Sequence, residues 1–420
     1  MLPIPHSSER GFSMVELMVA MLIGLIGMII IFQVFEVSEG IKRTTTSGGD
    51  AQQNGAIALY VMEHDLRNAG MGFNDVSYAG CNVVAYDSQR ATPDFTIKLV
   101  PVLITPGATA KVPDQFTVLY GSGALVANPT VLAATMTDGN SNILLSNPYA
   151  TRPGDLLLLL WPGTPNCSLL EVTGQPLGAS TTFLHAPGAS YQLWGTLTNE
   201  TARFNRPTGL TVAYGGGVGS PTANVTRVYN LGNLYEPTNR PNVPVNNTYA
   251  IDASNALTVT ATFTGKNVGT PLTNPVADNI VHMRALYGVD DGVGDASVTI
   301  KNGGTNVAGD GLVDRFVDAA TFNALATPPW QSLIAVRVAI VARSALAEKP
   351  LGSDGANCDA TTDGTEATPG PDRRPRWSGG LIDVSASGNA DPTSLLYWKC
   401  YRYRVFETTV PLRNWIWKSS

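Results

Sequence analysis

Between Leu17 and Phe35 the chain runs for nineteen residues with Gln33 as its one polar side chain. As a helix rising 1.5 Å per residue, such a run is about 28 Å long, close to the roughly 30 Å hydrocarbon core of a bilayer. Whatever follows is therefore carried on a helix whose natural surroundings are lipid or other apolar helices. A cleaved secretory signal should end in a small-residue peptidase site, and Val37-Ser38-Glu39-Gly40 is a poor match to one. The residues ahead of the run add a second constraint. A polar leader, Met1–Arg10, is followed by Gly11, Phe12, Ser13, Met14, Val15 and Glu16. A carboxylate at the edge of a membrane helix is costly unless paired. Cleavage between Gly11 and Phe12 would create an α-amine four residues from Glu16, on the same helix face.

Composition narrows what the remaining chain builds. Of 420 residues, 44% are apolar and only 14% charged, against about 25% charged in ordinary soluble domains. Gly and Pro together make up about one residue in six, more than usual but short of low-complexity disorder. This is the composition of a loop-rich β protein. The net charge is −6, without a basic block, so specific nucleic-acid binding is not expected.

Two helical segments are expected, separated by Gly40, Gly48 and Gly49. In the second, over about 50–70, Leu59, Met62, Leu66 and Ala69 recur at helical spacing, a face suited to packing on a sheet. Glu63 and Arg67 form an i, i+4 pair; together with His64 and Asp65 they read as a solvated side. Gly70 is a natural stop. Beyond Gly72 short β-like runs alternate with Gly, Pro, Asn and Asp. The clearest are 115–120, 155–161, 225–229, 257–263, 281–287, 333–341 and 401–410. Leu156–Leu160, five leucines in a row, suits a buried central strand. The stretches 261–275 and 351–376 read as loops.

The GFSMVEL segment running into an apolar helix closely resembles the class III signal of type IV prepilins. The resemblance implies cleavage after Gly11 by a prepilin peptidase/N-methyltransferase, N-methylation of Phe12, and use of Glu16 in assembly. It also implies storage in the inner membrane, single-pass with a periplasmic domain, before export into an extracellular pilus. The helix lacks the mid-helix proline common in major pilins, and Gly24 and Gly27 are its weak points. Asp65-Leu66-Arg67-Asn68-Ala69-Gly70 with Cys81, Asp278–Val281 with Tyr287–Asp290, Leu333–Ser344 and Tyr401–Asn414 resemble segments of PilW-type minor pilins. That likeness implies a structural subunit that helps initiate the pilus and sits at or near its tip. Its partners would be other minor and major pilins and a tip adhesin, with no cofactor. A GspJ-like minor pseudopilin of type II secretion is the nearest alternative. A surface- or DNA-binding module using the Gly/Asn-rich loops of about 200–275 is another.

The expected fold is α+β and type IV pilin-like: leader 1–11, membrane and assembly helix 12–39, amphipathic helix 50–70, and an antiparallel β domain over 71–420. Cys81, Cys167, Cys358 and Cys400 form no CxxC, so zinc is disfavoured. In an exported domain they suit two disulfides, with three connectivities open and Cys358–Cys400 plus Cys81–Cys167 preferred. No enzyme is indicated. His6, His64, His185 and His282 are scattered, and the glycine-rich 215–220 lacks the lysine of a phosphate loop. Asp290, Asp291, Asp295, Asp310, Asp314 and Asp318 lie among glycines, which suits calcium. Their spacing misses the EF-hand pattern and favours a plain acidic loop.

Overall fold

The computed structural model describes residues 12–121, 129–149, 151–161, 166–176, 178, 181–193, 198–210, 221–234, 243–264, 271–293, 308–348, 374–391, 394 and 396–416. It is α+β: one long N-terminal helix on a large, mainly antiparallel β domain. Helix α1 (Met14–Asn68) runs for 55 residues without a break, about 80 Å at 1.5 Å per residue. Gly40, Gly48 and Gly49 do not interrupt it. Each mid-helix glycine costs only about 1 kcal/mol relative to alanine, and propagation through an already formed helix outweighs that cost. Gly24 and Gly27 are equally helical. The stop falls where expected. The Ala69 N–H bonds to the Leu66 carbonyl, and Gly70 takes φ +81°, a conformation that a side chain would disfavour.

Three sheets of four to six strands, with three two-stranded ones beside them, make up the described part of the domain. The six-stranded sheet has the order Asp94–Lys98, Asn82–Tyr86, Asn166–Glu171, Asp155–Leu160, Arg227–Asn233 and Thr130–Val131. Its pair Asn82–Tyr86 and Asn166–Glu171 is parallel. The five-stranded sheet runs Leu272–Asp278, Ala256–Ala261, Val245–Ile251, Gln115–Tyr120 and Val102–Thr105. The four-stranded sheet runs Arg315–Asp318, Ile280–Val289, Leu333–Arg343 and Tyr403–Pro411. Each of the seven expected strands is present within a few residues. The expected loop 261–275 is partly a strand, since Leu272–Pro275 begins the edge strand Leu272–Asp278. Residues 351–373 of the other expected loop lie outside the described residues, as do 215–220.

The leucine run shows why patterning fails where both faces of a sheet are covered. Leu156, Leu158 and Leu160 enter the core shared with α1, while Leu157 and Leu159 enter a second core with Ile143, Phe183 and Val228. Every residue of the strand is buried, so no polar alternation survives. Leu333–Arg343 behaves the same way: Val338 and Ile340 face the main core, Ala339 and Val341 a smaller one with Ile382 and Val384.

A disulfide joins Cys81 and Cys167, with Cα atoms 6.1 Å apart and a separation of 86 positions in sequence. Closing so long a loop contributes about 4–5 kcal/mol in the chain-entropy model. Cys400 is also disulfide-bonded, and Cys358 lies outside the described residues.

Asp155 begins the leucine strand and is buried. Its carboxylate accepts hydrogen bonds from Asn230 Nδ2 (2.7 Å), the Arg152 N–H (2.8 Å) and Asn233 Nδ2 (3.2 Å). Burial outweighs these donors and pushes the carboxyl up to about 6. A folded-state value above the unfolded one stabilises the fold fully at low pH, and the contribution is lost as pH rises through about 6. The loss is worth up to about 3 kcal/mol. Asp155→Asn should therefore gain stability relative to wild type between pH 4 and 7.5. Thermal melts of both proteins across that range check this; a pH-independent difference would sink it.

Candidate functional site: the N-terminal helix and its anchorage

α1 has two unlike halves. Among the described side chains from Phe12 to Ile41, nearly all are exposed, including Leu17, Met21, Ile29, Phe32 and Phe35. It is the one described helix long and apolar enough to cross a membrane. Ser13, in extended conformation, is the N-cap, and its carbonyl accepts the Leu17 N–H at 3.1 Å. Glu16 lies exposed in the first turn, where the helix dipole favours a negative charge. Phe12 is exposed just before the cap; Gly11 lies outside the described residues.

The C-terminal half is docked. It lies against strands of both the four- and five-stranded sheets and buries Ala51, Ala58, Met62, Leu66 and Ala69. Met62, Leu66 and Ala69 belong to the expected face, whereas Leu59 is only half-buried at its margin. The stripe extends through small residues that hydrophobic periodicity overlooks. At Gly55 an added Cβ would lie 2.1 Å from a ring carbon of Phe406, so only glycine lets helix and sheet approach this closely.

Asp65 corrects the expectation of a solvated side. Glu63 and Arg67 do pair at 2.5 Å and His64 is exposed, but Asp65 is buried against the five-stranded sheet. Its carboxylate accepts hydrogen bonds from Tyr249 Oη (2.7 Å), Asn247 Nδ2 (2.9 Å) and Tyr120 Oη (3.0 Å). Burial, then the adjacent charge, pushes both phenols well above their ordinary value. At the helix end Asn414 Nδ2 donates to the Arg67 carbonyl at 3.2 Å, satisfying an acceptor left without an intrahelical partner.

The acidic residues weighed for calcium serve as loop staples. Asp290 accepts the Gly309 and Gly311 N–H groups, Asp314 accepts the Gly292 N–H, and Asp310 accepts the Leu312 N–H. Asp291 pairs with Arg315 at 2.6 Å, and Asp318 caps the short helix Ala319–Asn323. Asp295 lies outside the described residues, among which no group of ligating side chains could hold a metal ion. His185 and His282 are buried with Nε2 at the carbonyls of Ser141 (2.8 Å) and Ala110 (3.2 Å). Burial and Arg284 pull His282 down to about 4. Parts of the Gly/Asn-rich 200–275 stretch form regular strands, while 211–220, 235–242 and 265–270 lie outside the described residues.

Comparison with known families divides along the same lines. Residues 6–32 match the prokaryotic N-terminal methylation motif, and residues 248–414 match the family of type IV pilus-assembly protein W. The chain is a type IV prepilin-like protein. The first match runs from His6 through Gly11 and Phe12 into most of the bare apolar segment. The second begins inside Val245–Ile251, takes in the whole four-stranded sheet and ends at the Asn414 that caps α1. The Asp65–Gly70 and Cys81 resemblance falls between the two. No curated protein and no solved structure matches the chain.

The fit at Gly55 is directly testable in this prepilin-like protein. Gly55→Ala should destabilise the full chain by about 1–3 kcal/mol, and Phe406→Ala should relieve most of that penalty. Denaturant unfolding in detergent of both single variants and the double variant measures the coupling. Additive effects would show that the two positions do not constrain each other.

Proposed function

We propose that the chain is a minor pilin of a type IV pilus. It is a structural subunit, not an enzyme, held in the inner membrane by a single pass with its β domain in the periplasm. From there it helps initiate assembly and comes to lie at or near the pilus tip. The observation that carries this reading is the division of α1 into a bare apolar half and a half built into the domain core. The bare half has no use in an isolated domain; it suits lipid first and the helices of other minor and major pilins afterwards. The breadth of the β domain supports the tip. Three sheets carried on one helix end need lateral room, and a subunit at the filament end has neighbours on one side only. A tip adhesin is the partner that such a position would present.

Two experiments test this reading. Phe12 is exposed immediately before the helix cap, so the mature chain should begin at N-methylated Phe12. Mass spectrometry of the N-terminal peptide from sheared pili decides it, and an intact Met1 terminus would exclude processing.

The second concerns Glu16. Next to lipid or packed helices an unpaired carboxylate is strongly unfavourable, and the Phe12 α-ammonium of the same or a neighbouring chain relieves it. The pair would reward one axial register and disfavour the others. Glu16→Gln and Glu16→Ala should both leave membrane levels normal and lower surface pili on the order of tenfold, as expected for about 1.4 kcal/mol of lost selectivity. Immunoblots of cell fractions beside pilus counts, in a strain lacking the native copy, give the answer. Wild-type pilus numbers with the alanine variant would refute a register-setting role.

A further inference from the structure

The two faces of the five-stranded sheet are used differently. Phe116, Val118 and Tyr249 face the core beneath α1, and Asn247 reaches Asp65. By strand alternation, Thr117, Leu119, Asn246 and Thr248 project from the opposite face, where Leu119 pairs with Asn246 and Thr117 with Thr248. Between this face and the edge strand Asp94–Lys98 of the six-stranded sheet lies a cleft of about 300 Å³. That is at the small end of the range for small-molecule sites.

Its lining is chemically specific. Asn246 is only 5% exposed, yet its carboxamide makes no hydrogen bond to the described residues. Its amide atoms remain open to solvent, so a polar group held in the cleft would find there both a donor and an acceptor. Beside it, the Thr117 and Thr248 hydroxyls bond to each other at 2.8 Å, which leaves one of the two protons and further lone pairs free. Arg90 reaches the cleft stacked over the Phe95 ring at 4.1 Å, with no ion pair among the described residues. Among the described residues Lys98 donates only to the neutral Asn82, at 3.1 Å. Burial lowers both cations below their ordinary values, and no described carboxylate lines the space. A protein of net charge −6 thus keeps a locally positive, hydroxyl-rich cleft with an apolar floor at Leu119 and Val100.

We infer that this cleft binds a carboxylated sugar, with its carboxylate at Arg90 and Lys98 and its ring hydroxyls at Asn246, Thr117 and Thr248. The apolar floor suits the C–H face of a sugar ring. Nucleic acid fits less well, because Arg90 already covers the Phe95 ring and the overall charge repels a polyanion.

The test is isothermal titration of the detergent-solubilised full chain with galacturonate, tri-galacturonate, methyl-esterified tri-galacturonate and a 12-nucleotide single-stranded DNA. The acid sugars should bind, and the ester at least tenfold more weakly than the acid trimer. Equal affinity per site for monomer and trimer would assign the cleft to a free sugar acid, and an advantage for the trimer to a unit of a polysaccharide. Asn246→Val and Arg90→Gln should each weaken binding at least tenfold without changing the melting temperature by more than a few degrees. Lys98→Gln, at the strand edge, provides a variant that does not touch the sheet interior and should weaken binding several-fold. Failure of both acid sugars to bind, equal binding of acid and ester, unchanged affinity in the three variants, or preference for the DNA would each overturn the proposal. Pilus counts with Asn246→Val should match wild type, so the outcome here is independent of the assembly reading.

Discussion

Asp65 stands where a charged residue has no business unless the structure is built around it. It is the only carboxylate on the docked stripe of α1, and it is met by two phenols and a carboxamide from two adjacent strands of one sheet. Removing an ion from water is tolerated when its lone pairs are taken up by fixed donors, and these donors are fixed because Gln115–Tyr120 and Val245–Ile251 pair in register. The demand fixes both rotation and axial position of the helix, since a shift of one residue would bury Leu66 or His64 opposite the tyrosines. The hydrophobic contacts around it, Met62, Leu66 and the Gly55–Phe406 approach, add attraction but tolerate more play. Helix placement therefore rests on a polar contact set inside an apolar interface.

Continuity of α1 then determines what the other end does. Because the helix passes through Gly40, Gly48 and Gly49, the position of Glu16 and Phe12 is set by a rod whose far end is locked to the sheets. Each of these glycines, and Gly24 and Gly27, has open space where a Cβ would stand, so none is demanded by packing within the chain. Their smallness is available to whatever packs on the bare half.

Much of this was readable from residues alone, and the failures have physical causes. The apolar run, the helix stop at Gly70, the Glu63–Arg67 pair and the strands expected at 115–120, 155–161 and 333–341 follow from local chemistry, namely length, backbone conformation and side-chain pattern. Asp65 was misjudged because a carboxylate between Glu63 and Arg67 looks solvated until distant Tyr120, Asn247 and Tyr249 are brought to it. Nothing in the local sequence marks the buried Arg203–Asp87 ion pair either, 2.8 Å across and 116 residues apart in sequence. Glycines 40, 48 and 49 were over-weighted because a local penalty was judged without the cooperativity of a long helix. The short strands Asn82–Tyr86 and Leu272–Asp278 lack polar alternation in sequence, the first because it is a five-residue interior strand between an antiparallel and a parallel neighbour, the second because it is an edge carrying Pro275. As for the site, the proposal for Glu16 and Phe12 comes from the residues around them. The Asn246 cleft was not, because it draws on three separated segments.

The geometry of the docked half has a mechanical meaning. The helix lies along the sheets over residues 51–69 and its free half continues from the same rod, so a pull on the N-terminal end is transmitted lengthwise. The interface is then loaded in shear: Gly55, Ala58, Met62, Asp65 and Leu66 bear tension together instead of being peeled one turn at a time. The disulfide between Cys81 and Cys167 lies just beyond the helix end, between two strands of the six-stranded sheet's parallel pair. Force that did pass Gly70 would meet a covalent stop within about a dozen residues. A chain with this architecture resists extraction along its own axis far better than it resists prying from the side.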